Sequence, residues 1–211
     1  MINNTKEIKE KLKEQPAIIA VSGPSGSGKD YLTNGAMKYF SEIGVETINV
    51  QMVTERPHRG EVETKICVSP TDYTNMQNND ELIGDHINKV RYGYSINQIK
   101  NAIEESKKDG KLIIIELNPD KQMNFPKELK SKLGIEMTAW IGVETTPEQT
   151  EANMRERGES EVEITNRVNI FNEFINAMKN NPNITMCNNG PDNRTNAVND
   201  FVKIIKSKIN D

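Results

Sequence analysis

The sequence lacks most of what would hold together a disulfide scaffold or a metal finger. Its two cysteines, Cys67 and Cys187, lie far apart with no second cysteine or histidine at ligand spacing, which excludes a disulfide framework and a zinc site of ordinary spacing. His58 and His86 are the only histidines, and without partners at useful spacing neither reads as a catalytic base. No apolar run approaches the roughly 20 residues that a membrane helix needs. Met1, Ile2, Asn3 and Asn4 lead into the charged stretch 6–14 instead of an apolar signal core, so a cytoplasmic location with no membrane partner is expected. An excess of positive charge is also missing. The 27 Lys and Arg residues face 31 Asp and Glu, a formal net charge of −4, which argues against a nucleic-acid partner. Any anion site must therefore be a local concentration of cations. There is no internal repeat and no low-complexity tract, and the many asparagines read as compositional bias.

What is present is an alternation of short apolar runs and helical stretches over 211 residues, enough for one α/β domain with insertions. Ala17, Ile18, Ile19, Ala20 and Val21 form an apolar run that ends in glycines, as a buried parallel strand feeding a tight turn does. Further strands are predicted at 46–52, 65–68, 111–117, 137–143 and 184–187. The four consecutive apolar residues Leu112 to Ile115 give the strongest buried-strand signal. Helix starts are marked by Ser69-Pro70, by Ser95, and by the capping box Thr146-Pro147-Glu148-Gln149. A long helix is expected from about 161, and a closing helix over 195–209. The segment 80–94 lacks a helical period and reads as short strands and turns in a small inserted lobe. Strands alternating with helices imply a three-layer α/β fold of P-loop NTPase type around a mostly parallel sheet with right-handed crossovers. One domain over 1–211 is expected, with a core at 16–53 and 95–211, an inserted lobe at about 54–94 and a helical lid at about 153–167.

The chemistry is carried by Gly23, Pro24, Ser25, Gly26, Ser27, Gly28 and Lys29, a G-x-x-x-x-G-K pattern set directly after a predicted strand and before a predicted helix. Glycines there let consecutive N–H groups turn inward around phosphate oxygens, the helix start adds positive potential, and the lysine reaches the β and γ phosphates. ATP is the implied donor. Asp30 comes next, where a Ser or Thr would place a hydroxyl on magnesium. A carboxylate is a hard oxygen ligand, so Asp30 is a candidate for holding Mg2+; as an alternative it is a partner of the helix dipole.

This loop, followed by Arg56-Pro57-His58-Arg59-Gly60-Glu61, by Tyr92-Gly93, and by Arg157-Gly158 with Arg167, resembles the guanylate kinase family over nearly the whole chain. The resemblance implies ATP- and magnesium-dependent phosphoryl transfer to a nucleoside monophosphate, GMP or dGMP first among them. It implies Arg56 and Arg59 as clamps on the acceptor's phosphate, with Glu61 in the same block, Tyr92 as a further contact, and Arg157 and Arg167 closing from the lid. Where the family reads guanine with a tyrosine in D-Y-x-F, residues 63–68 hold none, and Asp85 is the carboxylate near the second base-reading place. Tyr94 comes after Tyr92-Gly93 in place of a small hydroxyl residue, with Ser95 adjacent. The family's acidic strand end reads Glu116-Leu117-Asn118, which makes Glu116 the second magnesium candidate. Asn189 stands where these folds border the adenine of ATP. The loop with its terminal Asp is also similar to that of ribose 1,5-bisphosphate phosphokinase, which keeps a sugar phosphate open as acceptor. A non-catalytic guanylate kinase-like binding module is the remaining reading. The partner expected in either enzyme case is a small phosphorylated acceptor, with the chain a monomer or a homodimer.

Overall fold

Successive side chains of a strand point to opposite faces, and in the central strands of this chain both faces are apolar, so helices must cover the sheet on each side. The computed structural model describes residues 2–58, 65–88 and 90–210. In chain order its elements are α1 (Ile2–Glu14), β1 (Ile18–Ser22), α2 (Lys29–Glu42), β2 (Thr47–Asn49), β3 (Val53–Thr54), β4 (Ile66–Cys67), α3 (Pro70–Asn78), β5 (Leu82–Asn88) and β6 (Val90–Ser95). The second half of the chain adds α4 (Ile96–Asp109), β7 (Leu112–Glu116), α5 (Phe125–Leu133), β8 (Ala139–Glu144), α6 (Pro147–Glu156), α7 (Glu161–Asn169), α8 (Phe171–Lys179), β9 (Ile184–Asn188) and α9 (Ala197–Asn210).

Strands β2, β7, β1, β8 and β9 lie in that order in one wholly parallel sheet. Ile19, Val21, Ile114, Ile141 and Val143 face α1, α2 and α9, where Leu12, Leu32, Phe40, Phe201 and Ile205 meet them. Their neighbours Ile18, Ala20, Ile113, Ile115 and Trp140 face the other way, onto Ile99, Ile103, Phe125 and Leu129 of α4 and α5. The result is the three-layer α/β arrangement that the apolar runs predict. Among the described residues no helix is long and apolar enough to cross a membrane.

A second, four-stranded sheet, ordered β4-β3-β6-β5, is mostly antiparallel and holds its own small core of Val53, Tyr73 and Leu82. The strand predicted at 46–52 is in fact shared between the two sheets. Thr47–Asn49 pairs with β7, Val50 N–H still bonds to Ile114 O at 3.0 Å, and the chain then crosses to pair Val53 with Gly93. The stretch 80–94, expected as short strands and turns, is a hairpin of two longer strands with a register shift between Ile83 and His86. The long helix expected from 161 is broken at Ile170, beside the weak helix former Asn169, and Phe171, Ile175 and Met178 of the second piece pack with Met186 in a separate cluster. Helix α5 escapes the sequence reading, although its signals are present: Pro126 near its start, Phe125, Leu129 and Leu133 four apart, and Gly134 in the left-handed region after its end.

The second sheet is joined to α5 and the segment before it at the register shift. Gly84 N–H donates to Glu128 Oε2 at 2.9 Å, and Gly84 O accepts from Gln122 Nε2 at 2.8 Å. Gly84 has φ +65, and a Cβ there would lie 2.5 Å from Phe125 Cδ2, so glycine is required by backbone conformation and by space at once. Gly84→Ala is therefore expected to cost about 2 kcal/mol or more in urea unfolding; an unchanged midpoint would refute this account of the junction. Cys187 offers a second check. Burial pushes its thiol up to about 11, so native protein at pH 8 should leave Cys187 unmodified by iodoacetamide, and labelling should appear only on unfolding, read by mass spectrometry.

Candidate active site

Strand β1 delivers the chain to the glycine-rich loop, and the delivery point is fixed by hydrogen bonds. Ser22 Oγ donates to Leu117 O and accepts from Trp140 Nε1 at 2.7 Å, tying β1, β7 and β8 together where the loop begins. Gly26 and Gly28 have φ +80 and +81, a region where L side chains are strained, and a Cβ on Gly26 would lie 2.6 Å from Thr150 O. Ser27 N–H closes the turn onto Pro24 O at 3.1 Å. Two asparagines hold the loop from outside. Asn153 Nδ2 donates to Gly26 O at 2.8 Å while its own carbonyl accepts from Gln149, and Asn189 Nδ2 donates to Ser27 O at 2.8 Å. Helix α2 then starts at Lys29, with Asp30 in its first turn.

The Lys29 ammonium lies 3.3 Å from Glu116 Oε1 at the carboxyl end of β7, and Lys65 Nζ lies 3.5 Å from Oε2 of the same residue. Burial alone would lower the pKa of Lys29, but Glu116 and Asp30 outweigh it and hold it above its ordinary value. Burial likewise pushes Glu116 up, and the two lysines more than reverse this, holding its carboxyl below the usual range. Lys29 and Glu116 are thus charged at neutral pH. Glu116 is positioned by Tyr94, whose hydroxyl donates to Glu116 O at 2.5 Å and accepts from Glu116 N–H at 2.9 Å. That hydroxyl is buried and committed to the backbone, so Tyr94 serves the frame of the site.

Asp30 is exposed and pairs with Arg157 Nη2 at 3.9 Å, and Arg167 Nε pairs with Glu159 at 3.3 Å. Asp30 and Glu116 both act electrostatically on Lys29. Among the described residues no cluster of three or more His, Cys, Asp or Glu stands ready to hold an ion. A cleft of about 330 Å³ opens beside the loop, lined by Gly28, Tyr31, Asn153, Arg157, Asn189 and Arg194 among others. Its size suits a nucleobase or a nucleoside.

Across from the loop, the second sheet presents another set of groups. Arg56 is buried just past β3, with its N–H on Thr54 Oγ1 at 3.3 Å. Tyr92 sits opposite Thr54 on β6 and stacks on His86 at 5.6 Å between ring centres. Asp85 accepts a bond of 2.6 Å from Tyr73 Oη and another from Gln77 Nε2. Arg91 spans Glu55, Thr74 and Gln77 and lies 4.8 Å above the Tyr73 ring. Its hydrogen bonds hold the Glu55 carboxyl below its usual value. Ser95 takes the cap position of α4 without a side-chain capping bond. Arg59 and Glu61 lie outside the described residues.

The fold thus brings Lys29, Asp30 and Glu116 to the carboxyl ends of β1 and β7 and groups Asp85, Tyr92 and Arg56 on or beside the second sheet. Sequence reasoning gave Lys65 and Arg194 no part in the site, and it did not foresee that Tyr94, read there as an altered residue after Tyr92-Gly93, would brace Glu116 or that Asn153 would bond the loop.

Comparison with known proteins agrees with this architecture. The family model for guanylate kinase matches residues 14–204. A guanylate kinase of Wolinella succinogenes is 30% identical over 148 residues, which span 69% of this chain and 62% of that relative. The crystal structure of guanylate kinase from Anaplasma phagocytophilum shares the fold, with a TM-score of 0.57 at 12% identity over 91% of this chain and 85% of that one. With the glycine-rich loop, the parallel sheet and the second sheet in place along nearly its full length, the chain belongs to the guanylate kinase family.

Proposed function

We propose that this chain transfers the terminal phosphoryl group of ATP to GMP, giving ADP and GDP. The observation that carries this reading is the Lys29 ammonium at the head of the glycine-rich loop, with a nucleoside-sized cleft on one side and a second sheet bearing Arg56, Asp85 and Tyr92 on the other. The match to the guanylate kinase family supports GMP as the acceptor.

In this mechanism the loop's backbone N–H groups and the start of α2 bind the triphosphate, and the base of ATP enters the cleft beside Asn189 and Arg194. Lys29 neutralises charge that develops on the transferring group. Arg56, with Arg59, Glu61 and Tyr92, orients the acceptor's phosphate as nucleophile. A planar guanidinium suits this because it donates two parallel charge-assisted bonds. Asp85, held from behind by Tyr73 and Gln77, accepts N–H groups from the edge of the base, and Ser95 belongs to the same pocket. Arg157 and Arg167 move from Asp30 and Glu159 to the phosphates as the lid closes.

Asp30 and Glu116 are hard oxygen donors that both act on Lys29, a set that fits Mg2+, which is held by one or two carboxylates together with substrate phosphates and waters. When bound, the ion would offset the negative charge of the phosphates.

A coupled assay of ADP release with ATP, Mg2+ and GMP tests the reading, and absence of turnover would overturn it. Lys29→Ala is expected to lower kcat by about a hundredfold or more, because its interaction strengthens in the transition state. Arg56→Ala should raise the KM for GMP by about tenfold or more with a smaller effect on the KM for ATP; an unchanged acceptor KM would remove Arg56 from the clamp.

A further inference from the structure

The cation pair on Glu116 carries an inference that rests on the kinase reading and deepens it. We propose that Lys65 binds the acceptor's phosphate beside the transferring group, competing its ammonium away from Glu116 and onto a phosphate oxygen. Lys29 marks where the transferred phosphoryl group lies, and Lys65 occupies the other oxygen of the same carboxylate, at 3.5 Å against 3.3 Å. The two ammonium groups are thus separated by one carboxylate, a spacing that a phosphate can bridge.

The backbone explains why Lys65 arrives there. It immediately precedes β4, whose Ile66 N–H bonds to Met52 O at 2.9 Å, where the chain crosses from the parallel sheet to the second sheet. Lys65 therefore stands at the seam between the glycine-rich loop and the strands bearing Arg56 and Tyr92. Its side chain is only 18% exposed whereas that of Glu116 is 43% exposed, so the lysine is directed by packing while the carboxylate remains reachable. Burial holds the pKa of His86, itself stacked on Tyr92, below its ordinary value, and Lys65 adds a smaller push in the same direction. A lysine suits this place because a compact charge on a flexible stem can follow a phosphate oxygen as the transfer proceeds, whereas an arginine fork would fix one geometry.

The test uses the full chain with Lys65→Met, Lys65→Gln and Lys65→Arg. GMP affinity is measured by calorimetry, kinetics by ADP release, and folding by thermal unfolding; of the two neutral variants, the one that melts closer to wild type is used. Loss of the charge is expected to raise both Kd and KM for GMP about tenfold or more, with the KM for ATP changed much less, and Lys65→Arg should recover most of the affinity. A folded neutral variant that keeps GMP Kd and KM within about twofold of wild type overturns the role of Lys65 while leaving the kinase reading intact. Equal losses of ATP and GMP affinity also overturn it, because they would mark Lys65 as a support of Glu116. A wild-type protein silent toward GMP overturns the kinase reading itself, and this inference with it.

Discussion

The position of the Glu116 carboxylate is the constraint on which the site depends. It ends strand β7, is fixed through its backbone by Tyr94, and faces Lys29 from the glycine-rich loop and Lys65 from the edge of the second sheet. One residue thereby connects the three parts that phosphoryl transfer needs in register: loop, parallel sheet and second sheet. A lysine at the mouth of a loop that is dense with N–H donors would otherwise swing into solvent. Pairing it with a carboxylate directs it, and the partial exposure of that carboxylate lets incoming anions compete for the lysine.

The glycine-rich loop depends on a different kind of support. Its left-handed glycines cannot be held by side chains of their own, so the carbonyls of Gly26 and Ser27 are taken by Asn153 and Asn189 from α6 and from the end of β9. Taking up carbonyls from outside turns the loop's N–H groups toward the side where phosphates bind. Since the end of α6 falls in the stretch proposed as a lid, its anchoring through Asn153 would leave any closing motion to the residues beyond this helix, around Arg157 and Arg167.

Much of this was legible in the sequence because the signals were local. The apolar runs give β1 and β7, and the loop motif gives the strand-to-helix turn after β1. The capping residues give the starts of α3 and α6. What was not legible depends on contacts between distant segments. Nothing near Lys65 shows that it will meet Glu116, about fifty positions later, and Tyr94 beside Tyr92-Gly93 reads as an altered pocket residue until its hydroxyl is seen on the backbone of β7. The strand predicted at 46–52 divides between sheets because periodicity reports burial and not the identity of the partner strand. Helix α5 was passed over although its apolar spacing and its terminal glycine were visible; its partner is the Gly84 bulge, and neither element makes sense without the other.

The second sheet divides its charges by task. Arg91 is committed to Glu55 through Nε and Nη2, and further to Thr74, Gln77 and the Tyr73 ring, which makes it a brace of the lobe. The brace reaches Asp85 in two ways, because Tyr73 and Gln77 both touch Arg91 and both donate to that carboxylate. On the proposed reading, an acceptor base that binds Asp85 would meet a group already oriented, and would lose less freedom in ordering it than with a mobile side chain. Pairing Arg91 with Glu55 would, on that reading, leave the acceptor's phosphate to other cations, among them Lys65, which shares the Glu116 carboxylate with Lys29. In the proposed function, a chain with a net charge of −4 would hold two phosphorylated substrates because its cations are sorted in this way, with some tied into the frame and others paired with carboxylates that substrates can displace.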